Sequence, residues 1–282
     1  GKGEYKSAVS YAEKALKIDK FSDLDREIKY TESIALFMNG QGDEAEKLCE
    51  NLIKEDDSDM EMYMLYGGIK KADGDTEGAI KVYESAIRKK KSYYDAYFAL
   101  YEQYISAGQN GAAEELLEGL TSMDAEKASE MIVAGKAWYY KKDYDKALTL
   151  FAQAYEKKAK KGLYYVALTK KMKGKLQDAE NDFLTYISLD KNDLIPEVYN
   201  QLAGIYMERS KYKKAQEMLT QGLALGDTEA TQNLMRNQAI LYELQGNYEK
   251  AVEAGNAYLR IYPGDVAMQK ELSFMQTRKK DS

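Results

Sequence analysis

Residues 135–158 read G-K-A-W-Y-Y-K-K-D-Y-D-K-A-L-T-L-F-A-Q-A-Y-E-K-K, from Gly135 to Lys158, and the fold is decided in this stretch. Its first half sets Gly135 and Trp138 where a helix face takes a small and then a large residue. In its second half Tyr144, Ala147, Phe151, Ala154 and Tyr155 follow one another at steps of three, four or one residues. That spacing keeps apolar groups on one side of a helix. Between the halves, Lys142 and Asp143 interrupt the pattern, so the stretch is expected to be two antiparallel helices joined by a tight turn.

The same unit recurs along the chain. With Ala147 as marker, equivalents stand at Ala8, Ala45, Ala79, Ala113, Ala179, Ala215 and Ala251, at intervals of 37, 34, 34, 34, 32, 36 and 36 residues. Five residues before each marker comes a turn position, held by Gly3, Gly40, Gly74, Gly108, Lys142, Gly174, Ser210 and Gly246. Most of these tolerate the left-handed backbone that ends a helix. Four residues after the marker come Ala12, Cys49, Tyr83, Leu117, Phe151, Phe183, Leu219 and Gly255. A period this steady over eight copies is the signature of a helical solenoid.

The turn-and-second-helix runs G-E-Y-K-S-A at Gly3, K-D-Y-D-K-A at Lys142, S-K-Y-K-K-A at Ser210 and G-N-Y-E-K-A at Gly246 resemble the tetratricopeptide repeat. Its period is ~34 residues. Tyr63, Tyr97 and Tyr199 match its leading aromatic position, and Gly67, Gly135, Ala167, Ala203 and Ala239 its small-residue position. The proline that closes the family's units survives only as Pro263, with Lys20, Asp57, Lys91 and Lys191 in its place elsewhere. The resemblance covers nearly the whole chain. It implies an all-α fold, a right-handed α-solenoid superhelix of antiparallel helix pairs with a C-terminal capping helix.

On this reading residues 1–282 form a single array: a half repeat over 1–22, seven repeats over 23–263, and a capping helix and tail over 264–282. Pro196 is expected at a helix start. Val266, Met268, Leu272 and Met275 are expected to lie on the final repeat, under a polar outer face that keeps the open end soluble. Residue 1 falls inside a repeat, so an upstream segment is expected, either another helix or a bacterial secretion or lipoprotein signal with a short spacer. Any membrane tether would run through that segment, because runs such as Ile34 to Met38 are far too short to span a bilayer.

Composition argues against catalysis. The chain has no histidine, the commonest general base and metal ligand, and its single cysteine, Cys49, sits at a packing position. No phosphate-loop, nucleophile-elbow or dinucleotide fingerprint occurs. Asp73, Asp75, Glu77, Gly78, Ile80 and Glu84 have the spacing of a calcium loop, but the repeat register puts Ala79 and Tyr83 on helix, where a loop wrapped around an ion would break the packing. No cofactor or metal is expected. A pI near 5.1 and few arginines argue against nucleic acid. Charge is segregated: nine acids between Asp43 and Glu61 stand against Lys47 and Lys54, and twelve lysines between Lys136 and Lys175 against Asp143, Asp145 and Glu156. Both runs suit solvated helix faces, and the second also suits an acidic partner or membrane surface.

Tyrosine, at 25 residues, is the unusual component, and the register assigns sixteen of them to helix packing. In proteins of this kind first-helix faces line a concave groove. One groove position runs Tyr30, Met64, Phe98, Ile132, Tyr164, Asn200 and Arg236, and a second runs Phe37, Lys71, Ile105, Tyr139, Lys171, Met207 and Glu243. Tyr140 and Tyr165 lie on the same helices. The groove candidates are therefore Met64, Phe98, Ile132, Tyr139, Tyr140, Tyr164, Tyr165, Asn200 and Arg236. The lysine and asparagine pattern with which some family members grip a C-terminal carboxylate is not reproduced by Asn200 and Arg236. Two functions stay open: a non-catalytic scaffold holding a protein or peptide along the groove, or an extracytoplasmic sensory or carrier module whose tyrosines stack a small or saccharide ligand.

Overall fold

A computed structural model describes residues 2–17, 24–189, 195–226 and 230–280. Among them are sixteen α-helices and no strand, so the fold is an all-α solenoid. Two compact units divide the chain at residues 122 and 123. The first holds α1 (Lys2–Leu16) and the pairs α2 (Asp25–Met38) with α3 (Gly42–Glu55), α4 (Met60–Ala72) with α5 (Thr76–Lys89), and α6 (Tyr94–Ser106) with α7 (Asn110–Thr121). The second holds α8 (Ala128–Tyr140) with α9 (Tyr144–Glu156), α10 (Lys160–Met172) with α11 (Leu176–Leu189), α12 (Pro196–Glu208) with α13 (Tyr212–Ala224), and α14 (Thr231–Leu244) with α15 (Tyr248–Ile261). A last helix, α16 (Val266–Lys280), packs on α15. Lys20 and Lys191, in the closing-proline position, lie outside the described residues.

One turn design joins the helices of each pair. Gly40, Gly74, Gly108, Lys142, Gly174, Ser210 and Gly246 all have positive φ, Lys142 at 62° and Ser210 at 55° without a glycine's freedom. The residue after each donates its N–H back into the first helix, as Asp143 does to the Trp138 carbonyl at 3.0 Å and Lys211 to Tyr206 at 2.7 Å. This satisfies carbonyls that a helix end leaves open. Where that next residue is Asp75, Asp143 or Asn247, its side chain also caps the second helix by accepting from Gly78, Lys146 or Lys250 N–H. Gly3 does not belong to this series. It lies inside α1, which begins one residue earlier.

The core of each pair is built on the marker alanines, of which Ala45, Ala79, Ala113, Ala147, Ala179, Ala215 and Ala251 are at most 1% exposed. Small residues on the first helix meet large ones on the second. A Cβ at Gly135 would stand 2.6 Å from the Phe151 ring, so this glycine is what admits the ring. Gly162 is tighter still in kind, because a Cβ there would meet backbone, the Phe151 carbonyl oxygen at 2.6 Å and the Tyr155 nitrogen at 2.7 Å. Pro196 opens α12 as its first residue, where its missing N–H costs nothing. On α16, Met268, Leu272 and Met275 are buried, but Val266 is 59% exposed. It stands at the very start of α16, off the buried side of that helix.

Candidate functional site

In residues 1–122 Tyr30 and Phe37 of the inner-face register positions are packed against the core, whereas Ile105 is exposed. Met64 is half-buried between the clusters around Tyr63 and around Tyr83 and Leu100. Phe98 is only 6% exposed, so it is a core residue and not a ligand anchor. Lys71 forms an ion pair with Glu102 on the next first helix at 2.9 Å.

In residues 123–282 the tyrosines of α8 and α10 form a series of ring contacts. On α8, Ile132 and Tyr139 are half-buried against Ala147, Phe151 and Val166. Tyr139 meets Tyr140 edge-on at 6.2 Å and Tyr144 at 5.5 Å. On α10, Tyr164 meets Tyr165 edge-on at 5.1 Å and leans on Phe183 and Tyr186 of α11 at 5.9 and 6.0 Å. Tyr165 lies flat on Phe151 at 4.9 Å, with Lys136 6.0 Å from its ring centre. One face of Tyr165 is thus already occupied, and Tyr164 is anchored in its own repeat. Tyr139, Tyr140, Tyr164 and Tyr165 are all half-buried. Burial pushes the Tyr139 hydroxyl up to about 12, and that of Tyr164 further, so both remain neutral donors.

Farther along the same unit the residues at the register position of Ile132 and Tyr164 are polar. Asn200 on α12 accepts from Asn237 on α14 at 2.7 Å, and Arg236 is half-buried. Lys171 of α10 donates to the Gln201 side chain at 2.7 Å, and a Cβ at Gly204 would lie 3.3 Å from its Nζ. Desolvation holds the Lys171 amine below its ordinary pKa, with Glu208 acting on it only through space. Gln201 and Gly204 escaped the sequence reading. A comparison of Gly204 with its register equivalent Glu102 would have found them.

Part of each charged run is engaged in ion pairs. Acids of residues 43–61 take cations from neighbouring helices: Asp59 and Glu61 from Arg26, Glu55 from Lys29, Glu46 from Lys70 and Asp57 from Lys89. Among the lysines, Lys146 pairs with Asp143 at 3.0 Å and sits 3.8 Å over the Trp138 ring. Lys170 pairs with Asp182, and Lys173 with Asp145. Glu77, Gly78, Ile80 and Glu84 of the calcium-like spacing lie on α5, and Asp75 caps that helix. No cluster of three or more candidate ligands for a metal ion, and no helix long and apolar enough to cross a membrane, occurs among the described residues. Cys49 is buried, which pushes its thiol up to about 11.

Three models of the tetratricopeptide repeat family match the sequence, over residues 30–94, 71–134 and 194–264. No curated protein matches it. Among solved structures, a tetratricopeptide repeat protein from Parabacteroides merdae is similar at 18% identity with a TM-score of 0.60, over 89% of this chain and 98% of that one. Human IFIT1, in a dimer with PPP-AAAA, is similar at 17% identity and 0.53, over 90% and 69%. A chain of the APC/C hetero-tetramer Cut9–Hcn1 is similar at 15% and 0.52, over 96% and 52%. At these identities the structures bear on the fold alone. The family models, the period of the marker alanines and the helix-pair packing agree, and the chain belongs to the tetratricopeptide repeat family.

Proposed function

We propose that the protein is a non-catalytic scaffold that binds a protein or peptide along the first-helix face of residues 123–282. The family is generally one of protein-interaction modules, which supports the class of function. The observation that carries the reading is the apolar and aromatic surface of α8, where Ile132, Tyr139 and Tyr140 are half-buried and bounded by the tyrosines of α10. Half-buried tyrosines held by edge contacts offer rigid contact area with a polar tip, at little entropic cost on binding. Saccharide stacking draws less support, since the flat face of Tyr165 is spent on Phe151.

The test is a Tyr139→Ala, Tyr140→Ala double variant on α8, with Tyr164 left in place because it packs on Phe183 and Tyr186. At an unchanged melting temperature, a partner retained by the wild-type chain should be lost by the variant. Equal retention by both would reject this face as the binding surface.

A further inference from the structure

The repeat register makes Lys71 and Lys171 equivalent, each eight residues before its marker alanine, Ala79 or Ala179. Their surroundings differ at one position. Lys71 meets Glu102 on the next first helix, eleven residues before Ala113, and forms an ion pair with it at 2.9 Å. The position equivalent to Glu102 on α12, eleven residues before Ala215, is Gly204. Lys171 therefore lacks the carboxylate that its counterpart has and donates instead to the neutral oxygen of Gln201 at 2.7 Å. The glycine also leaves space beside the ammonium, since even a single added carbon would stand 3.3 Å from Nζ.

The exposed Glu208 of α12 acts on this amine through space, and the equivalent positions on the flanking helices are uncharged. The equivalent residues on the flanking first helices are Tyr139 of α8 and Met207 of α12, both half-buried. A desolvated cation hydrogen-bonded only to an amide gains more from a carboxylate than an exposed lysine does, because the desolvation cost has been met in folding. We propose that Lys171 is an anion subsite of the groove, and that the ligand is an acidic peptide setting an Asp or Glu carboxylate on Lys171 Nζ and apolar side chains against Tyr139 and Met207. This rests on the groove reading above and names the chemistry of its ligand. Charge complementarity selects the occupant: a basic or neutral peptide would leave the half-buried ammonium with an amide as its one direct partner and Glu208 acting only through space.

Peptides selected from a random phage-display library on the wild-type chain, then synthesised with a fluorophore, provide the probe. Their sequences should be rich in Asp and Glu placed near an apolar residue. Replacing that acid by its amide, or Lys171→Met in the protein, should weaken binding by about ten- to hundredfold, the range for one charge-assisted hydrogen bond. Gly204→Glu supplies the internal partner that Lys71 already has, so it should weaken the acidic peptides equally while leaving the melting temperature unchanged or raised. Lys171→Glu should restore binding of a peptide whose acid is changed to lysine. Peptides that depend on Tyr139 but not on their acids, or that ignore both Lys171→Met and Gly204→Glu, would overturn the anion subsite and leave the groove reading standing. Selected peptides indifferent to Tyr139→Ala, or no enrichment over bare support, would overturn both. Succinate binding by calorimetry without any peptide binding would replace the peptide by a small dicarboxylate and overturn the proposed ligand class.

Discussion

Lys142 and Gly162 show how single residues answer to the backbone. Lys142 ends α8 at φ 62°, a conformation in which its Cβ crowds the following carbonyl. Lys142→Gly removes that strain at some cost in unfolded-state entropy, and should raise stability by up to about 1 kcal/mol in a denaturant titration. Gly162→Ala should do the opposite. Its methyl would meet the backbone of α9 and not a movable side chain, so a loss of about 1–3 kcal/mol is expected by the same titration. The turn position was legible in the sequence because it recurs at a fixed distance from the marker alanine. The need for glycine at 162 was not, since it arises where α10 leans on the end of α9.

At the scale of the element, α12 and α11 are tied by Arg209, which donates to Glu180 and also to Gln177 at 2.9 Å. The Glu180 side chain is 7% exposed, and Arg209→Ala would leave it without its cation, costing about 2–3 kcal/mol in the same measurement. The capping helix carries a different device. Burial, and then a hydrogen bond with Glu271 of α16, raise Glu243 of α14 to about 7. A carboxyl whose folded pKa lies above its unfolded value of 4.5 contributes stability that is full below pH 4.5 and is lost as the pH rises through about 7. Amide exchange of α16 should therefore quicken, relative to its intrinsic rate, between pH 5 and pH 8, and Glu243→Gln should flatten that dependence. This pair was not legible in the sequence, because its members are 28 residues apart and belong to different helices.

For the whole molecule, a repeat protein is held by contacts between neighbours, so an end without a cover is its weak point. Met268, Leu272 and Met275 of α16 cover α15, together with the hydrogen bond from Tyr258 to Asp265 at 2.6 Å. Deletion of residues 264–282 should lower the melting temperature by roughly 5 °C or more, from the apolar area returned to water. Scanning calorimetry of the two chains would check it, and an unchanged midpoint would show that α16 is not a cap.

By itself the sequence determined the helix pairs, their turns and the family, because a period of about 34 residues repeats the same local physics in every unit. It also assigned Tyr139 and Tyr140 to a first helix, which is where they stand, on α8. Only the tertiary structure decided which inner-face residues were spent on packing: Phe98 is buried, Tyr165 is stacked on Phe151, and Lys171 meets an amide where Lys71 meets a carboxylate. A register assigns a residue to a face, whereas the neighbouring helix determines whether that face remains open.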